Sequence, residues 1–129
     1  YIPAQILGCL LGVMLANVFF EHNILELSTK NRDGFHIFLS EIIATFGLIF
    51  IIFATLKDGK ITIAASVATY IMAGYWFTSS TSFANPAVAI ARTFTDSFTG
   101  INYMNTPTYI LAEFLGALIA VFLIKKLIK

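Results

Sequence analysis

Thr78-Ser79-Ser80-Thr81-Ser82-Phe83-Ala84-Asn85-Pro86-Ala87-Val88-Ala89-Ile90-Ala91-Arg92 joins a run of small hydroxylated residues to the start of a short helix. Asn85 is a good N-cap and Pro86 a good first helical residue, because proline lacks an N–H that the first turn could not use. Pro86 to Phe98 is thirteen residues, roughly 20 Å of helix at 1.5 Å per residue. A hydrocarbon layer is about 30 Å thick, so this segment is too short to cross it, and it carries Arg92 and Asp96. About five extended residues before it cover roughly 15 Å, enough to reach mid-bilayer from one face. Extended backbone at that depth is tolerated only when it is buried in protein or lines water. The spacing therefore predicts a re-entrant half-helix beside an aqueous path.

The rest of the chain supplies the membrane. Of its 129 residues 58% are apolar and 12% charged, outside the usual range for soluble domains. Between Ile61 and Ala91 there is no Asp, Glu, Lys, Arg or His, and between Phe35 and Leu56 only His36 and Glu41. Too little polar surface is left to cover a core of this size in water. Apolar stretches at 3–20, 35–56, 61–79 and 109–124 read as four transmembrane helices, separated by a polar loop at 21–34 and the turn Lys57-Asp58-Gly59-Lys60. Basic residues set the orientation. With the C-terminus in the cytoplasm and 84–98 entering and leaving on one side, Lys57, Lys60, Lys125, Lys126 and Lys129 all lie inside. If 84–98 crossed fully, the Lys57 turn and the C-terminal lysines would fall on opposite faces.

Residues 1–20 and 109–128 share eight identities, with the pattern Tyr-Ile-x-Ala-[Gln/Glu]-x-x-Gly at the start of each. By the topology above the first helix starts inside and the last outside, so the repeat is inverted. On this reading 1–20 ends a first repeat and 35–129 is the second. A preceding part of about 74 residues, the separation of Phe35 from Tyr109, is expected. The N-terminal Tyr1-Ile2-Pro3 lacks the basic start of a secretory signal. A lone Cys9 excludes a disulfide framework and reads as a small packing residue. His22 and His36 lack partners at metal-ligand spacing, and no nucleophile–base pair or phosphate loop is present. An enzyme, a metal site, a cofactor and a nucleic-acid partner are therefore not expected.

The stretch Ser82-Phe83-Ala84-Asn85-Pro86-Ala87-Val88, set between two spans in an inverted repeat, resembles the second Asn-Pro-Ala loop of the major intrinsic protein family, the aquaporins and glycerol facilitators. Tyr1-Ile-Pro-Ala-Gln resembles the family's third helix and Glu41-Ile-Ile-Ala-Thr-Phe the start of its fourth. The resemblance covers essentially the whole chain, 1–129, as an aquaporin-like channel domain that is incomplete at its N-terminus. It implies an all-α membrane bundle whose pore is passive, with two half-helices meeting N-terminus to N-terminus so that their positive ends oppose cations. Asn85, Pro86 and Ala87 would form the pore motif, and the carbonyls of Ser80, Thr81, Phe83 and Ala84 an acceptor ladder. Ala73, Ser82 and Val88 would be the selectivity filter.

Most members have arginine where this chain has Val88, so the filter is expected to be small, neutral and wide. An Asn-Pro-Ala-Val motif with a Thr-Asp-x-Phe tail resembles a bacterial subgroup associated with polyol-like and neutral metalloid solutes such as arsenious acid. The partners implied are a bilayer, water, small neutral solutes and further copies of the chain, a tetramer by resemblance, in a bacterial inner membrane. Glu41 would support the re-entrant loop.

Several residues admit two readings. Arg92, one turn beyond Val88, either stands at the pore vestibule or pairs with Asp96 at i+4. Asn85 has the plainer role of an N-cap. Glu113 occupies the repeat position of Gln5, so both serve as hydrogen-bonding supports, unless Glu113 carries protons. Gly8 and Gly12, like Ala112 and Gly116, form small-residue faces for close helix crossing. Tyr75, Trp76 and Phe77 read as an interfacial belt. Two further functions compete with a passive channel: a proton-coupled secondary transporter using Glu41 or Glu113, and a non-conducting membrane fragment that acts with a partner chain.

Overall fold

The computed structural model describes residues 1–127. Among them are five α-helices and one 3-10 turn: α1 (Ile2–Phe19), α2 (Phe35–Ala54), α3 (Lys60–Phe77), α4 (Pro86–Ala91), the turn Arg92–Phe94, and α5 (Thr106–Leu127). Lys129 of the basic C-terminal cluster lies outside the described residues. Three helices, α1, α2 and α5, are long and apolar enough to cross a membrane. α3 has the same 18 residues as α1 but is less apolar, since it starts at Lys60 and carries Thr62, Ser66, Thr69, Tyr70 and Tyr75. Large apolar side chains such as Leu11, Trp76, Leu118 and Phe122 are exposed. In water this would be a severe liability. With three helices of membrane length it identifies an integral membrane protein.

The chain forms two compact units, one of Tyr1–Asp33 with Asn85–Ile110, the other of Gly34–Ala84 with Leu111 onward. In the second unit α2 and α3 pack together. Both start from a glycine in left-handed backbone, Gly34 at φ 105° and Gly59 at φ 91°, a conformation only glycine adopts cheaply. The buried residues of α2, Ile37, Glu41, Ala44 and Thr45, recur at helical spacing and make one inward stripe. Tyr70 of α3 donates its hydroxyl to the Ala44 carbonyl at 3.0 Å, which pins α3 to that stripe. From the other side α5 presents Ala112, Glu113, Gly116, Ala120 and Ile124, all buried. Gly116 sits against α2 so closely that a Cβ there would lie 2.4 Å from the Ile42 carbonyl oxygen. Gly8 and Gly12 behave differently: a Cβ at either meets nothing within 4 Å. The sequence assigns close crossing to both small-residue faces, yet among the described residues only the α5 face has it.

In the first unit α1 packs on α4 and on the turn after it. The half-helix is shorter than the thirteen residues expected. It runs as α-helix only to Ala91, tightens to 3-10 through Phe94, and leaves as extended chain at Thr95, φ −148° and ψ 131°. The cause is a tertiary cap. Asn17 of α1 donates its amide to the Phe94 carbonyl at 3.0 Å and accepts from the Thr95 hydroxyl at 2.6 Å. These bonds hold the backbone at Phe94 and Thr95 out of the helix. Asp96 therefore lies off the helix, in chain that is already extended at Thr95.

Candidate functional site

The polar run follows α3 in the second unit and belongs to no helix. Ser80, Thr81, Ser82, Phe83 and Ala84 are all buried, although none makes regular secondary structure. Thr81, Ser82 and Ala84 have φ of 67°, 54° and 48°, the left-handed region that costs a residue with a side chain about 1–3 kcal/mol. Such a path persists only if its surroundings over-determine it. Glu41 does so: its Oε1 accepts from the Phe83 N–H and its Oε2 from the Ala84 N–H, each at 2.9 Å. Glu41 is itself fully buried. With these N–H groups turned to the carboxylate, the loop is fixed in an orientation that regular pairing would not give. Ser80 Oγ accepts from the Ser82 N–H at 3.3 Å, and the Thr81 hydroxyl donates to the Ser80 carbonyl at 2.6 Å. Ala73 is exposed on α3 and Glu113 is buried on α5.

The first unit takes over at Asn85. Its backbone is extended and its side-chain oxygen accepts from the Ala87 N–H at 2.9 Å, while Pro86 occupies the first turn. Ala87, Ala89 and Ala91 are buried and Val88 is partly exposed. Val88 and Arg92 line one cavity of about 230 Å³ together with Cys9, Gly12, Val13 and Ala16 of α1. Arg92 also borders a larger cavity of about 360 Å³, with Asn17, His22, Thr95 and Ser97. Gln5, at the start of α1, is exposed.

Asn17 was not singled out from the sequence. The available signal is an amide within an apolar helix, since a polar group buried in a span needs partners; it is 2% exposed. The other group missed is a carboxylate latch on the loop at 21–34. Ser28 donates its N–H to the Thr93 carbonyl at 2.9 Å, and Asn102 donates to the Lys30 carbonyl at 2.8 Å, so the loop straps over the end of the half-helix. Asp96 accepts from the Thr29 N–H at 2.9 Å and from the hydroxyls of Thr29 and Ser28. In return Glu26 accepts from the Asp96 N–H at 3.2 Å and pairs with the His22 ring at 2.7 Å. Arg32 lies over the Phe98 ring at 5.8 Å and donates to the Phe98 carbonyl.

Both latch carboxyls are shifted downward. For Asp96 the Thr29 N–H lowers it most, against desolvation, with the Thr29 hydroxyl, Lys30 and Ser28 adding to the effect. For Glu26 desolvation pushes upward, but bonds from His22, the Asp96 N–H and Asn23, with the His22 charge, outweigh it. A carboxyl lowered in the folded state adds stability above its unfolded value, near pH 4, and that stability is lost as pH falls through the lower folded value. Hydrogen-exchange protection of residues 24–33 is accordingly expected to hold from pH 7 down to about 4 and to fall below it. Protection that stays constant well below about pH 4 would show that these two carboxyls do not hold the loop.

The chain is 43% identical over its whole length to an aquaglyceroporin, AqpS, of Rhizobium meliloti (strain 1021), and spans 55% of that protein. No solved structure matches it. The family model described as "Major intrinsic protein" matches residues 1–123. With that match over nearly all its residues, the chain belongs to the major intrinsic protein family.

Proposed function

We propose that this protein is a passive membrane channel for water and small uncharged solutes of about glycerol size, with Asn85-Pro86-Ala87 as its pore motif. The observation that carries the reading is the buried, helix-free backbone of Ser80–Ala84 held by both oxygens of Glu41. Such backbone is compatible with a membrane only beside protein or water, and by family resemblance its carbonyls are the acceptors for a passing solute. Family membership and a relative named as an aquaglyceroporin support the same function. Four crossing helices with the re-entrant α4, the inverted repeat of 1–20 and 35–129, a tetramer in a bacterial plasma membrane, and a cytoplasmic C-terminus complete the proposal.

Val88 in place of a cation, with Ala73 and Ser82 by resemblance at the other filter positions, favours solutes larger than water, arsenious acid among them. Glu41 is a poor proton relay, since protonating it gives up acceptor capacity that two backbone N–H groups use. The test is stopped-flow flux of water and glycerol into proteoliposomes, with and without a pH gradient. Rapid flux that ignores the gradient is expected; flux that needs the gradient would make the protein a coupled transporter.

A further inference from the structure

Gly74, in the last turn of α3, is where that helix meets the polar loop most closely. A Cβ on Gly74 would lie 2.5 Å from the Ser82 Oγ and 2.8 Å from the Ser82 Cβ. Turning the serine about χ1 moves its hydroxyl but not its Cβ, so rotation alone cannot make room. Room can come only from a shift of the loop backbone, which is tethered. Ser82 sits at φ 54°, its N–H is held by Ser80 Oγ, and the next two N–H groups are held by Glu41. The helix end is tied as well, because Thr78 donates both its N–H and its hydroxyl to the Gly74 carbonyl, at 3.1 and 2.7 Å. Ser82 is 2% exposed and its hydroxyl has no hydrogen-bond partner among the described residues. Packing against Gly74, not a hydrogen bond, therefore sets where this side chain stands.

We propose that Gly74 is a specificity-determining position of the channel: by carrying no side chain it lets Ser82 sit back, buried, against α3, and so sets how far this residue stands from the solute path. The inference rests on the reading of Ser82 as a filter residue. Gly74 acts through Ser82 and is a positioning residue. A methyl group at 74 pushes the Ser82 Cβ away from α3 until ordinary contact, about 3.5–4.0 Å, is restored. That displacement narrows the path for a solute matched to its width and matters less for water. One carbon at a fitted contact discriminates by about tenfold or more.

The experiment compares wild type, Gly74→Ala, Ser82→Gly and the double variant of the whole channel in proteoliposomes, reading glycerol and water flux per reconstituted protein. Gly74→Ala is expected to lower the glycerol-to-water flux ratio about tenfold. Ser82→Gly removes both atoms that the new methyl meets and suits the positive φ, so the double variant should show the same ratio as Ser82→Gly alone. An unchanged ratio in Gly74→Ala, or a loss that persists in the double variant, overturns the inference. If Gly74→Ala does not reconstitute, the double variant decides: folded with the Ser82→Gly ratio it supports the inference, and unfolded it overturns it. A wild-type protein that passes neither solute overturns the channel reading and this inference with it. Wild-type flux with an unaltered Gly74→Ala ratio overturns this inference alone.

Discussion

Glu41→Leu is expected to abolish flux of water and glycerol alike. The substitution leaves the Phe83 and Ala84 N–H groups buried without an acceptor, at about 1–3 kcal/mol each. These bonds also hold a loop with three side-chain-bearing residues in left-handed backbone. Against a total stability of about 5–15 kcal/mol, the loop is the part that yields first. Glu41→Gln retains one carbonyl acceptor but turns an NH₂ toward the second donor, so it should fall between wild type and Glu41→Leu in both thermal stability and flux. Stopped-flow flux per reconstituted protein, beside a thermal melt in detergent, reads the series. Wild-type flux in Glu41→Leu would show that the loop does not depend on this carboxylate. A Glu41→Gln protein as stable as wild type but without flux would point to proton transfer instead of support.

Val88→Arg should cut glycerol flux by tenfold or more, the scale on which a fitted site discriminates, and reduce water flux much less. The substitution puts a long cation where the chain has a small apolar side chain on the half-helix. The structure also offers this arginine another place. Val88 borders a cavity of about 230 Å³ shared with Cys9, Gly12, Val13 and Arg92, and a guanidinium there would face the like charge of Arg92 one turn on. That repulsion favours the new side chain turning away from the cavity. Glycerol and water fluxes measured on the same vesicles decide between the two placements. Equal loss of both, or no loss of either, would count against Val88 bordering the solute path.

The Rhizobium relative bears on how far these expectations reach. This chain spans about half of its length.

Where α1 to α4 begin was legible in the residues themselves, whereas α5 starts at Thr106, ahead of the Tyr109 expected from the apolar stretch. Proline or glycine stands at the start of α1, α2, α3 and α4, and these signals act within one turn of chain. The membrane character was equally local, because the absence of charge over twenty residues is a property of composition. The end of α4 was not legible. Nothing between Ala91 and Phe98 breaks a helix, and what stops it is an amide from Asn17, 77 positions earlier. Glu41 reached the site reading through family resemblance, since no local rule says which buried N–H groups, 42 and 43 residues away, a carboxylate will accept from. Gly12 and Gly116 looked alike as small residues in apolar helices, yet only Gly116 lies against a neighbouring backbone. Sequence by itself determined the elements and the medium they live in, because propensity, capping and hydropathy are summed over a few adjacent residues. Tertiary structure alone decided where the half-helix stops, which glycines touch and what holds the polar loop, because each depends on a partner that chain distance does not predict.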